Sequence, residues 1–152
     1  MSTTETRALT LRAPWGALIA SGTKTVENRL WSTKYRGLVA IHTGQGVDRD
    51  AMRRVMNPDG VGDFLHDAFA AIERPLPTFG HILAIARIDD CHPYEPGCCT
   101  SLWAEPVVGV WHWCLADVRA LPKPIPAKGR LGLWKPDAAL VGQITTAGSE
   151  AC

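Results

Sequence analysis

Hydrophobic and polar positions alternate through Ala8-Leu-Thr-Leu-Arg12, which predicts a first strand over residues 8–12 with Leu9 and Leu11 on one face. Pro14 suits a first helical position, because its missing N–H would be unpaired there anyway. Trp15, Leu18 and Ile19 then form one apolar face, and Gly22 is placed to end the helix in a left-handed cap. Strands are expected at Lys24–Arg29 and Arg36–Thr43, the second through Leu38, Val39 and Ile41, before Gly44-Gln-Gly46 breaks the pattern. Asp48 is a plausible N-cap for a helix ending at the turn signal Asn57-Pro-Asp-Gly60. A second helix over 63–73 carries Phe64, Leu65, Ala68, Phe69 and Ile72 at helical spacing, and Pro75 and Pro77 end it.

The clearest strand is Gly80–Cys91, with Ile82, Ala84, Ala86 and Ile88 on one face and Leu83, Ile85 and Arg87 on the other. A cysteine- and proline-containing loop runs to about Val107, followed by a strand over Val108–Val118, an extended Pro122–Pro126 stretch and a short strand at Leu131–Trp134. Strands of mixed length with helices between them predict an α+β fold, a closed or nearly closed β-barrel with peripheral helices. One domain is expected over 8–142, with residues 1–7 and the small, polar stretch 143–152 flexible.

Composition narrows the function classes. The 152 residues are 46% hydrophobic and 20% charged, an ordinary globular balance able to bury a core. No apolar run approaches the roughly 20 residues that a membrane helix needs, and the polar N-terminus lacks a signal-peptide pattern, so no membrane partner and a cytoplasmic location are expected. A net charge of +1 counts against a large nonspecific nucleic-acid binder, so nucleic-acid contact requires a local basic patch. The odd count of five cysteines argues for reduced thiols. Cys91, His92, Cys98 and Cys99 are metal-ligating types, and His112 and Cys114 share a strand face from which they could add ligands. The spacing fits no standard structural zinc pattern, however, and neither metal nor cofactor is expected.

Functional residue types concentrate between Arg12 and His42. On a strand, Glu27 and Arg29 share a face, and Lys24 in the preceding turn can reach the same space. A lysine, a carboxylate and a guanidinium converging on one cleft can hold a phosphate or the edge of a base. Trp15 and Trp31 offer stacking surfaces, and His42 a group that titrates near neutrality. Against this stand plainer readings: a Glu27–Arg29 surface pair, Trp15 as a core anchor, and His42 as a hydrogen-bonded structural histidine. Lys123, Lys128 and Arg130 form a second basic group, which would extend the patch of Lys24, Arg29, Lys34 and Arg36 if its loop folds over the cleft.

Three ordered segments carry a resemblance: Ala13-Pro-Trp15, then Gly22-Thr-Lys-Thr-Val-Glu-Asn-Arg29, then Trp31-Ser-Thr-Lys-Tyr-Arg-Gly37 with Ile41-His42. Together they resemble the activating signal cointegrator homology (ASCH) family, whose G-x-K-x-x-E-x-R motif is complete at Gly22, Lys24, Glu27 and Arg29. The segments His112–Asp117 and Pro122–Trp134 are similar to the C-terminal half of bacterial members. The resemblance implies a small PUA-like mixed β-barrel, with a cleft between the first helix and the wall that the motif residues line or brace. It also implies a nucleic-acid partner.

The leading expectation is a module, most simply a monomer, that binds RNA, single-stranded nucleic acid or a nucleotide. Its ligand residues are Trp15, Lys24, Glu27, Arg29, Trp31, Arg36, His42, Lys128 and Arg130. Some small bacterial members are amidohydrolases on N4-acetylcytidine that use a motif lysine, a nearby threonine and a later glutamate. Lys24 matches that lysine, but Glu27 stands at the threonine position. The alternative is therefore a hydrolase on a modified nucleoside or RNA, with Lys24 or Glu27 as base and Asp89 or Asp90 as the later carboxylate. The third is a protein-interaction or regulatory domain in which the motif is structural.

Overall fold

The computed structural model describes residues 5–73 and 79–150. Six strands form a single mixed sheet: β1 (Arg7–Ala13), β2 (Val26–Arg29), β3 (Gly37–Val47), β4 (His81–Pro93), β5 (Trp111–Pro126) and β6 (Leu133–Trp134). Their order is β2-β5-β4-β3-β1-β6. Among the described residues only the β1–β3 pair is parallel, and the segment between them crosses over through helix α1 (Trp15–Ala20) and β2. Helices α2 (Arg49–Met56) and α3 (Phe64–Ala70) lie between β3 and β4, and α4 (Ala138–Glu150) follows β6.

The α+β class and the peripheral helices are as expected. Of the closed or nearly closed barrel, full closure is not detected among the described residues: β2 and β6 are the two ends of the sheet order and do not pair. Both are short, four and two residues, which leaves few backbone groups to join them. Arg29 crosses the seam instead, its Nη2 donating to the Thr10 carbonyl at 3.2 Å.

Strand alternation accounts for a core on both faces of the sheet. Leu9, Val39, Ile41, Leu83, Ile88 and Trp113 pack with Ile19 and Ala20 of α1 on one side. Ala8, Ala40, Ile82, Leu121, Ile125 and Trp134 pack with Ile144 of α4 on the other. The expected face assignment of β4 fails at its start. Ile41 pairs with Ala84 but the next residue, His42, pairs with Ile82, so Leu83 is the extra residue of a bulge. That slip sends Ile82 to the α4 side and leaves Leu83 and Ala84 both on the α1 side.

Other boundaries move for local reasons. β3 continues through Gly44-Gln-Gly46 to Val47, because the pairing of β1 with β3 extends to Ala13↔Val47. Residues 108–110 form a turn, with the Val110 N–H on the Val107 carbonyl, so β5 begins at Trp111 and runs on through the proline-rich stretch to Pro126. The helix expected over 63–73 ends at Ala70, and Pro75 and Pro77 lie outside the described residues. Residues 143–150, read from the sequence as a polar tail, belong to α4. Asp137 caps it through the Leu140 N–H at 2.8 Å, and Leu140, Ile144 and Ala147 dock it on the sheet.

Helix α1 lies close on the sheet at Gly16, where an added Cβ would stand 2.4 Å from Thr43 Cγ2. Thr43 is buried, and its hydroxyl is tied to the His81 carbonyl at 3.3 Å, so it has little room to yield. Gly16→Ala is expected to destabilise the fold by about 1–3 kcal/mol in urea denaturation. Gly142→Ala, on an open face of α4, is expected to stabilise it by about 0.5–1 kcal/mol.

Candidate functional site

The chain leaves α1 through a tight reversal. The Ser21 N–H bonds the Ala17 carbonyl, and Gly22 (φ +83°) takes the left-handed conformation that only glycine adopts without cost. The Lys24 N–H then returns to the Leu18 carbonyl at 3.1 Å, which turns the Lys24 side chain inward. Lys24 is 2% exposed. Its ammonium donates to the Val26 carbonyl and stands 3.7 Å from the Glu27 carboxylate. It also lies 5.2 Å from the Trp15 ring centroid and 5.6 Å from that of Trp103, so two indoles flank the cation.

Two residues apart on β2, Glu27 and Arg29 point into the same cleft. Glu27 Oε1 lies 3.4 Å from Arg29 Nε, an ion pair without hydrogen-bond geometry, since that Nε is buried and has no hydrogen-bond partner. Burial lowers the Lys24 pKa, and the neighbouring carboxylates of Glu27 and then Glu105 oppose that fall.

These groups line one cleft of about 650 Å³ at the open seam of the sheet. Thr10–Arg12 form one wall, β2 another, and Arg130–Gly132, just before β6, a third. The 94–110 loop between β4 and β5 supplies Trp103 and Glu105. Asn28 ties that loop to β2: its Nδ2 donates to the Trp103 carbonyl at 2.8 Å, and its Oδ1 accepts the Glu105 N–H at 3.0 Å. Phe64 adds a third aromatic ring, edge-on to Trp103. Arg54, also on the wall, is committed to a bidentate pair with Asp63, which holds the Asp63 carboxyl down at about 2. Arg12 and Arg130 at the rim have no ion-pair partner among the described residues.

Of the residues expected to bind a ligand, the cleft gathers Trp15, Lys24, Glu27, Arg29 and Arg130. Trp31 lines a neighbouring hollow of about 540 Å³ and sets its ring edge-on against Trp113. His42 is fully engaged inside, its Nδ1 on Thr10 Oγ1 at 3.1 Å and its Nε2 on the Ala127 carbonyl at 2.7 Å. Arg36 hydrogen-bonds the Thr33 and Tyr35 carbonyls, away from the cleft, and Lys128 is exposed outside it. Asp89 and Asp90 are likewise elsewhere, paired with Arg87 and with His92 and Arg36. The later carboxylate in the cleft is Glu105. Sequence periodicity gave no sign of Trp103 or Glu105. The available signal was a tryptophan in a loop, two residues before an acid, in Leu102-Trp-Ala-Glu105.

The cysteine-containing segment converges elsewhere. His92, Cys98, Cys99 and His112 bring one potential ligand atom each to within 4.8 Å of one another, whereas Cys91 and Cys114 stand outside that group. Asp90, His92 and Cys114 form a second, more exposed set.

A model of the ASCH domain matches residues 9–105, and the chain belongs to that family. The match spans β1 to the Trp103–Glu105 loop and stops short of β5, β6 and α4. No curated protein matched the chain. Among the described residues, no helix is long and apolar enough to cross a membrane.

The burial of Lys24 has a direct spectroscopic consequence. Its Cε and Hε resonances are expected to titrate below the ordinary lysine pKa of 10.5. In Glu27→Gln the titration falls further, because the carboxylate that most opposes the effect of burial is gone. A Lys24 titration at the ordinary value in the folded wild type would contradict the site as drawn.

Proposed function

We propose that this ASCH domain binds a nucleotide unit, free or within single-stranded RNA, in the cleft at the open seam. The observation that carries the reading is a buried lysine, paired with Glu27 and flanked by Trp15 and Trp103, within a cleft of about 650 Å³. That volume suits a compact ligand. Flat aromatic walls accept a base of any sequence. Glu27 can accept from an exocyclic amino group, and the Lys24 and Arg29 side chains can donate to a carbonyl edge. Arg12 and Arg130 at the rim, without a carboxylate partner among the described residues, are placed for phosphate. A duplex fits poorly, since unstacked bases are what aromatic clefts recognise and the whole chain carries a net charge of only +1.

A second reading has its own support. Glu105 brings a carboxylate from a later segment to the cleft that holds Lys24, whose pKa is lowered by burial. A buried lysine beside carboxylates, its pKa drawn down by desolvation, is equipment that a hydrolase acting on a modified nucleoside would use, with Lys24 as the candidate base that activates water. Incubation with N4-acetylcytidine and chromatographic detection of cytidine tests that reading directly.

For the binding reading, the measurement is fluorescence anisotropy of labelled single-stranded RNA, with mononucleotides as competitors, over a range of salt. Trp103→Ala is expected to weaken binding by about 5-fold or more, the loss of one stacking surface. Lys24→Met should weaken it while preserving the side-chain volume, and Arg53→Ala, on the exposed face of α2, should leave it unchanged. With two rim arginines as the main phosphate contacts, log K should fall with log salt with a slope no steeper than about −2. Absence of binding to both RNA and mononucleotides by the folded protein would sink the reading.

A further inference from the structure

We propose that His92, Cys98, Cys99 and His112 form a tetrahedral zinc site that pins the loop between β4 and β5. The ligands come from three segments: His92 at the end of β4, the cysteines in the loop, and His112 near the start of β5. The β4–β5 pairing places His92 directly opposite His112, and their rings meet edge-to-face at 5.2 Å.

Each imidazole is oriented by an oxygen on one nitrogen, which leaves the other turned to the cysteines. His112 Nε2 is 2.9 Å from the Glu105 carbonyl, so it carries the proton, and Nδ1 is left as a bare lone pair. That Nδ1 lies 3.5 Å from Cys98 Sγ and 3.9 Å from Cys99 Sγ. His92 Nδ1 is held at 2.8 Å by the Asp90 carboxylate, and its Nε2 is buried with no hydrogen-bond partner. An outer oxygen on each histidine is the arrangement that fixes metal-binding imidazoles.

The distances suit zinc. Bonds of about 2.3 Å to sulfur and about 2.1 Å to nitrogen put the sulfur–nitrogen edge of a tetrahedron near ~3.6 Å. The two His112–cysteine separations lie on either side of that value. Two thiolates and two neutral imidazoles also cancel the charge of a divalent ion, which a half-buried site requires. Gly97, at φ +80°, makes the turn that presents the adjacent cysteines, and the Cys98 N–H closes it on the Glu95 carbonyl. The competing set of Asp90, His92 and Cys114 would use a carboxylate already bonded to His92 Nδ1 and exposed to water.

The site would be structural, with all four positions filled by protein. Its effect reaches the cleft through one bond: the Glu105 carbonyl held by His112 belongs to the segment that carries Trp103.

The test is zinc content by mass spectrometry of protein purified under reducing conditions without chelator. Cobalt(II) substitution then reads the ligands: thiolate charge transfer in the near ultraviolet and the strong visible bands of a tetrahedral ion. One equivalent of zinc is expected in the wild type, falling to about a tenth or less in the Cys98→Ser, Cys99→Ser double variant and weakened in His92→Gln. Cys91→Ser, whose thiol lies outside the cluster, should keep the full equivalent. Stripping the zinc should speed hydrogen exchange in the 98–105 segment. The proposal is overturned by folded wild type that takes up neither zinc nor cobalt, or by a folded double variant that retains both. Iron or copper in place of zinc, or a persistent Cys98–Cys99 disulfide, would equally overturn it. None of these readouts depends on what the cleft binds.

Discussion

A lysine ammonium removed from water is the constraint around which this domain is arranged. An isolated buried cation is expensive, so its surroundings must supply partners, and here they come from every neighbouring element. The Val26 carbonyl accepts from it, Glu27 faces it, and Trp15 and Trp103 give it two aromatic faces. Those partners belong to α1, β2 and the β4–β5 loop, which are therefore held together by a demand they share. The same demand explains why the turn after α1 is so tight. Gly22 and the Lys24–Leu18 backbone bond aim the side chain inward from a segment too short to do so otherwise.

The sheet provides the other half of the arrangement. Five well-formed pairings leave one seam unpaired, between the short strands β2 and β6. A hydrophobic seam would invite pairing with another chain. This one is instead filled by polar groups: Arg29 reaching across to Thr10, Glu27 beside it, and Arg130 at the rim. Failure of the barrel to close and possession of a cleft are thus one structural fact. The ends of two strands supply backbone and charge at a place that a closed wall would have sealed.

How far the sequence reveals this depends on the range of the forces involved. The α1 cap, the inward β2 face and the Lys24–Glu27–Arg29 constellation are legible because they are set within a few residues. His42 shows the opposite limit. Its titratable ring suggested a ligand role, yet its two nitrogens are taken by Thr10 and Ala127, the latter eighty-five positions away. The bulge at Leu83 is invisible to a period-two pattern, because alternation continues on both sides of the slip. Helix α4 was missed for a different reason. Leu140, Ile144 and Ala147 do repeat at helical spacing, but small and polar neighbours masked the stripe that docks it. Strands of mixed length with helices between them pointed to a closed or nearly closed barrel, and the short strands at the two ends leave it without a last pairing.

The loop from Tyr94 to Val110 contains no regular secondary structure, although it carries an indole that must sit against a buried cation. Regular structure cannot impose that position, so side chains must. Asn28 does so from β2, with its amide clamping both the Trp103 carbonyl and the Glu105 N–H. His112 does so from β5, through the Glu105 carbonyl. The backbone of Glu105 is therefore held on both sides, its N–H from β2 and its carbonyl from β5, and these strands are themselves paired, Asn28 opposite His112. The loop is thereby tied to β2 and to β5 on either side of one residue, and Trp103 is held against Lys24 by side chains of two paired strands, whereas Trp15 is placed there by its helix.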